Sequence, residues 1–243
     1  MPKVRGRSTS VEPSLLEAQL GELVVRGAPE VVLTGVHLGT YGWDLQPRID
    51  LGTLIQRLLQ ASSGVRLRLG SLDPHELDEG FCGLVAGSDR ICRHLHLPVQ
   101  SGDDGVLRRM RRAHRVEHLE RVVPQLAAAI PGVAIGTDLI VGFPGEDSRA
   151  FDNTYGLIET LPIAYAHVFS YSIREGTEAA QMPDKVDARV KVVRSRHLRA
   201  LSRRKWAAFI RASQGQLMSA VVYRRRDRRS GDLLALSDNY IEF

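Results

Sequence analysis

The sequence predicts an α/β protein made of repeated strand–helix units, closed or partly closed into a barrel. Three observations carry that reading. Apolar runs of strand length alternate with segments of helical periodicity, the pattern of parallel βαβ units with right-handed crossovers. At least five such units fall within 243 residues, a length that an α/β barrel uses as one domain. Small and polar residues recur just beyond the strands, where barrels keep their working groups. An open doubly wound sheet uses the same alternation and is the alternative.

The first helix is expected in "PSLLEAQLGELVVRG", where Pro13 stands just inside the start and Gly27 just past the end. Strands are expected at "EVVLTGVHLG" (30–39), "VRLRLGSL" (65–72), "CRHLHLPVQ" (92–100), "VAIGTDLIVGF" (133–143) and "AYAHVFSYS" (164–172). The helices between them read from "LGTLIQRLLQAS", "RVEHLERVVPQLAAAI" and "SRAFDNTYGLIETL". Arg66 and Arg68 share one face of their strand, with Val65, Leu67 and Leu69 on the other, and His94 and His96 alternate likewise with leucines. Covering helices take the apolar face, so the polar face looks inward, toward a polar ligand or toward groups that satisfy one another.

The strand ends are rich in chemistry. Thr34-Gly35-Val36-His37 closes one run, and Gln100-Ser101-Gly102 leads into a helix whose first turn holds Asp103 and Asp104. Gly142, Pro144 and Gly145 form a tight turn after another. Glycines let backbone approach a ligand, and free amides at helix starts favour anionic groups. Three such loops at equivalent places argue more strongly than any one.

The remaining features narrow the class. No stretch reaches the eighteen or so apolar residues of a membrane helix, and the start has no apolar signal core, so a cytoplasmic location is expected. Cys82 and Cys92 are the two cysteines, and their spacing fits no common zinc or cluster pattern. The net charge of +5 hides a segregation: residues 185–229 carry +13 and the rest of the chain −8. That basic segment suits a polyanion, whose counterions are released on binding, or forms a solvated face. After the barrel, "DARVKVVRSRHLRALSRRKWAAFIRASQG" reads as a basic helix, and short strands come next around a Ser-Gly turn.

"VVLTGVHLGTYGWDL", "HLHLPVQSGDDGVLRRMRR", "GTDLIVGFPGED" and "HVFSYSIREGTEAAQM" together resemble the radical S-adenosylmethionine methylthiotransferases, the family with MiaB, RimO and MtaB branches. "LTGVHLG", "RLGSLDP" and "LHLPVQSG" lean toward the MtaB branch, and Ser101 stands where the RimO branch usually has histidine. The resemblance runs from about Pro2 to the end. It implies an incomplete radical-SAM (β/α) partial barrel over 1–182, a basic helical linker over 183–215 and a small TRAM-like β domain over 216–243, cut short at Phe243. The closing "LSDNYIEF" is similar to the end of a TRAM domain.

The resemblance also implies roles. S-adenosylmethionine would lie against Thr34, Gly35 and His37 with its amino acid end, near Gln100 and Ser101 with its ribose or carboxylate, and near Asp138 to Gly142 with its adenine. Tyr171 and Arg174 would line the barrel mouth. The partner implied is tRNA, held by Arg203, Arg204, Lys205, Arg224, Arg225 and Arg226, with Tyr223 and Tyr240 available to stack on bases. Members of the family hold a four-iron four-sulfur cluster on a CxxxCxxC loop after their first strand. "MPKVRGRSTS" is similar to the segment immediately downstream of that loop. The resemblance therefore implies a C-terminal portion without its own cluster thiolates, with an N-terminal half as a candidate partner. Two functions are expected: 2-methylthiolation of threonylcarbamoyladenosine beside the anticodon, by an enzyme of which this portion is inactive alone, or RNA binding by a non-catalytic remnant. The MiaB and RimO branches stay as alternatives for the substrate.

Overall fold

The computed structural model describes residues 6–243. The first five residues, including the Pro2 at which the resemblance begins, lie outside the described residues. The chain divides into two compact units. One comprises Met1–Leu72, Glu76–Leu95 and Leu217–Phe243, the other Asp73–His75 and His96–Gln216.

In the first unit, α1 (Pro13–Val25) starts with Pro13, whose missing N–H removes no helical bond there, and Gly27 comes just after its end at φ +78°. Strands β1 (Glu30–Leu33) and β2 (Arg66–Leu69) pair in parallel, with Glu30 opposite Arg66 and Leu33 opposite Leu69. Between them runs α2 (Leu51–Ala61), capped by Asp50, whose carboxylate accepts from the Thr53 N–H at 2.7 Å. A helix that the apolar pattern did not announce, α3 (Glu79–Ala86), is capped in the same way by Asp78. Two glycines and one buried turn make its periodicity too short to read. Leu54, Ile55, Leu58, Leu67, Leu69 and Ile91 form the core of this unit, each at most 3% exposed. Burial at that level contributes about 1.5–3 kcal/mol per side chain.

The second unit holds a three-stranded sheet in the order β3 (His94–Gln100), β4 (Ala134–Val141), β5 (Tyr165–Ser170), with β4 and β5 parallel. The first two residues of β3 belong to the first unit. Helices α4 (Asp104–Arg109), α5 (Val116–Ala129) and α6 (Ser148–Thr160) connect these strands, and α7 (Glu178–Gln181) is a single turn after β5. The long α8 (Ala188–Ser213) runs beside β5. Ser202 Oγ accepts from the Ala166 N–H and donates to its carbonyl, Arg199 donates to the Val168 carbonyl, and Lys191 Nζ to that of Tyr171. Ser195 joins Ser170 through their hydroxyls. A sheet edge otherwise left with unpaired backbone groups is thus covered by one helix face.

The C-terminal β6 (Ala220–Arg226) and β7 (Leu233–Ser237) form an antiparallel hairpin, and Phe243 returns to exchange both backbone bonds with Ala235. This hairpin lies in the first unit, and Arg66 reaches Ser219 across 153 positions of sequence. All five strands and five of the helices stand where the hydrophobic pattern places them. The strands are shorter than their apolar runs, because Thr34–Gly39 and Gly142–Phe143 turn away from the sheets.

Candidate cofactor and nucleic-acid sites

The polar face of β2 is filled by protein. Glu30 sits between Arg66 and Arg68, with Nε–carboxylate distances of 2.6 and 2.7 Å and side chains between 5% and 12% exposed. The remaining guanidinium donors point to the C-terminal segment: Arg66 to the carbonyls of Ser219 and Leu236, Arg68 to those of Ser237 and Asp238. Tyr240 stacks on His94 with ring centroids 4.0 Å apart, and the Arg68 guanidinium lies 5.5 Å over the same ring. Of the two readings of these inward polar groups, mutual satisfaction holds for Arg66 and Arg68. The hairpin that supplies their partners is far away in sequence, which is why alternation alone left the choice open.

Beyond β1, Thr34 and Gly35 are exposed. His37 is tied down: its Nε2 is 3.0 Å from Glu76 and its Nδ1 3.1 Å from Thr40 Oγ1. The other expected cofactor residues all fall in the second unit, on or beyond adjacent strands. Gln100 closes β3 at φ +70°, a left-handed conformation that a non-glycine residue adopts only where its surroundings impose it. Ser101 is 1% exposed and shares the Thr154 hydroxyl of α6 with the Gly102 N–H, so it fixes the loop on that helix.

On β4, Asp138 lies 3.4 Å from His96 on β3 and pairs in register with His167 on β5. The His96 and His167 rings are 5.7 Å apart, and Tyr165 packs against both. His167 and Tyr165 were not among the sequence candidates. Their signal is the period-2 alternation of β5, which puts them on the face of Asp138. After β4, Gly142 takes φ +76°, and a Cβ there would lie 2.2 Å from Lys191 Cγ. Its N–H donates to Glu146, which Arg194 of α8 also grips at 2.8 Å. Burial raises the Glu146 carboxyl, against the opposing Gly142 and Arg194 hydrogen bonds. Tyr171 sits edge-on to Phe143 at 5.2 Å, its hydroxyl buried without a hydrogen-bond partner among the described residues. Arg174 is exposed.

A second polar cluster escaped the sequence reading. Asp73 takes His75 at 2.7 Å, Arg112 at 2.6 Å and the fully buried His114 at 3.2 Å, while His114 Nε2 is 2.9 Å from the Val99 carbonyl. Burial alone would raise the Asp73 carboxyl, but hydrogen bonds from His114 and His75 and the charge of Arg112 hold it well below the carboxylate range. These groups tie the end of β3 to the loop before α5.

The cysteines do not fit an iron–sulfur cluster. Cys92 is buried beside Glu30, and burial pushes its thiol up to about 12. Cys82 is half-buried and also raised, chiefly by burial. A cluster site needs three or four thiolates, and the sequence has these two cysteines. Among the described residues no group of three or more His, Cys, Asp or Glu could hold a metal ion.

Of the basic candidates, Arg203 is exposed without a side-chain partner among the described residues, whereas Arg204 pairs with Glu159 at 2.8 Å. Lys205 caps α6 through the Glu159 and Leu161 carbonyls at 2.9 and 2.7 Å, and burial lowers its ammonium. Arg224, Arg225 and Arg226 are all exposed on β6; Arg225 meets Glu242 at 3.4 Å and Arg226 donates to the Gly231 carbonyl at 2.8 Å.

A family model described as the radical SAM superfamily matches residues 1–158. The chain belongs to that superfamily. Its radical SAM fold is similar to that of coproporphyrinogen III oxidase HemN from Escherichia coli, with a TM-score of 0.60 over 79% of this chain and 45% of that one at 15% identity. In sequence it is 39% identical over 223 residues to the threonylcarbamoyladenosine tRNA methylthiotransferase MtaB of Rickettsia prowazekii, covering 91% of this chain and 53% of that protein. It is 37% identical over 191 residues to a tRNA-2-methylthio-N(6)-dimethylallyladenosine synthase of Clostridium botulinum, covering 79% and 42%. The chain thus spans about half the length of the curated relatives it matches. Radical SAM enzymes use S-adenosylmethionine and a four-iron cluster. No helix of the described residues is long and apolar enough to cross a membrane.

Proposed function

We propose that this chain is the cofactor-barrel and tRNA-holding part of a radical methylthiotransferase that adds a methylthio group to threonylcarbamoyladenosine beside the tRNA anticodon. The observation that carries the reading is the match to MtaB over 91% of the chain, which takes in every expected strand-end loop. The dimethylallyladenosine synthases are the second reading for the substrate, supported by 37% identity over a shorter stretch.

Within this reading, S-adenosylmethionine supplies the methyl group and the radical chemistry. Gln100 at the end of β3, Asp138 within β4 and the unpartnered Tyr171 hydroxyl just beyond β5 would bind it. Thr34 and Gly35 belong to the first unit and are exposed beyond β1. Ser101, His37 and Gly142 act indirectly, since their polar groups or backbone are held by Thr154, Glu76 and Glu146. Arg174 would meet the incoming nucleotide. The two cysteines do not hold the cluster, so no chemical step is assigned to these residues alone.

The test is calorimetry with S-adenosylmethionine on the purified chain, beside anaerobic incubation with iron and sulfide. Weak binding is expected, at high micromolar to millimolar levels or about 4 to 6 kcal/mol, without about four irons per chain. Sub-micromolar binding, or a stable four-iron cluster, would show that the site has been misplaced.

A further inference from the structure

Helix α8 carries nine Lys or Arg and no Asp or Glu between Ala188 and Ser213. Like charges three and four residues apart repel, so the helix must find counter-charge outside itself. Five of the cations do so within the protein. Arg194 and Arg204 take Glu146 and Glu159, and Lys191, Arg199 and Lys205 take the backbone carbonyls of Tyr171, Val168 and Leu161. The other four, Arg189, Arg196, Arg203 and Arg211, are exposed and make no side-chain hydrogen bond or ion pair among the described residues.

Their spacing puts them on one face. At about 100° per residue, steps of seven, seven and eight keep all four within a sector of about 80°, over an axial length of about 33 Å. The inward residues Lys191, Arg194, Ser195, Leu198, Ser202 and Lys205 centre on the opposite side. Between the four arginines the outer stripe holds Val193, Ala200 and Ala207, none of which can pair with a cation.

We infer that this outer stripe of α8 is a docking surface for the phosphate backbone of RNA, with each arginine meeting a different phosphate. The inference rests on the tRNA reading above and deepens it by assigning the surface. Charge complementarity selects the partner: four separated cations without internal counter-ions match a regularly charged polyanion. About 10 Å between neighbours lets each guanidinium neutralise its own phosphate and release its own counterions. Of the two residues expected from sequence beside Arg203, Lys205 belongs to the helix's inner attachments and Arg204 is paired with Glu159 at the surface.

The experiment is a fluorescence-anisotropy titration of the full chain against an in vitro transcribed tRNA between 50 and 200 mM KCl. One variant carries Arg189→Gln, Arg196→Gln, Arg203→Gln and Arg211→Gln; a second carries Arg→Lys at the same positions. A third carries Arg224→Gln, Arg225→Gln and Arg226→Gln. The Gln variant should shallow the slope of log affinity against log salt by about 3. Wild type should then lose about 50- to 150-fold more affinity across that range than the Gln variant. The Lys variant should keep the wild-type slope, because point charges suffice for phosphate, and this separates lost charge from lost folding. Binding by wild type with the same slope in the Gln variant overturns the inference alone, as does a slope moved only by the β6 variant. No binding by wild type overturns the tRNA reading with it. Arginine-dependent capture by phosphatidylserine vesicles in place of tRNA would make the stripe a membrane face and also overturn it.

Discussion

Replacing Glu30 by Gln removes one carboxylate from between two buried guanidinium groups. Arg66 and Arg68 keep their bonds to the carbonyls of Ser219, Leu236, Ser237 and Asp238, but their charges lose the carboxylate they share. Removing one partner of a buried ion pair costs about 3–5 kcal/mol, because the residual charge stays desolvated. With a urea m-value of about 2–3 kcal/mol/M, the midpoint should fall by about 1 to 2 M. The loss should concentrate where the guanidiniums point, so amide exchange over 217–243 should accelerate first. It should also depend on pH. Burial raises the Glu30 carboxyl, but the bonds and charges of Arg68 and Arg66 outweigh it and leave it below its ordinary 4.5. A lowered carboxylate stabilises above its unfolded value and loses that contribution as pH falls through the folded one. Wild type and variant should therefore differ fully at neutral pH, and the difference should shrink only as pH falls below the ordinary 4.5. A midpoint shift under about 0.3 M at pH 7, with unchanged exchange in the tail, would refute the claim that this triad clamps the hairpin to β2.

Other outcomes rest on single positions. Gly142→Ala meets Lys191 Cγ at 2.2 Å with φ +76°, whereas Gly64→Ala at φ +80° meets nothing within 4 Å. The second should lower Tm by about 2–4 °C through backbone strain of about 1 kcal/mol, and the first by at least twice that, with part regained on adding Lys191→Ala. Asp73→Asn leaves His114 and Arg112 without their carboxylate and should cost about 2–4 kcal/mol at pH 7 in chemical denaturation. Because the Asp73 carboxyl is held low, that difference should persist down to about pH 4 and fade only below it. In the native protein at pH 8, a thiol reagent should label Cys82 well before Cys92, whose buried thiol is pushed up to about 12; equal rates would contradict the burial assigned to it.

The features legible in the sequence were local. The apolar runs 30–39, 92–100 and 133–143 mark the strands, and Gly35, Gly102 and Gly142 in or just after them mark the loops, because hydrophobic periodicity and glycine turns are properties of neighbours along the chain. The motif strings then carried the radical SAM resemblance, which the family model over 1–158 bears out. The features that stayed hidden depend on residues far apart. Nothing near Arg66 announces Ser219, and nothing near Asp73 announces His114, so which polar groups were already satisfied could not be told. The basic helix shows the same division. Its charge was plain, but which arginines face outward depends on β5 lying along Lys191, Arg199 and Ser202.

The most direct test of the proposed methylthiolation is mass spectrometry of nucleosides from total tRNA of cells with and without this gene. Loss of the 2-methylthio group from threonylcarbamoyladenosine, with the unthiolated nucleoside accumulating in its place, is the predicted result. An unchanged level of that mark would contradict the proposal and leave a non-catalytic RNA-binding protein; loss from dimethylallyladenosine instead would contradict the substrate assigned.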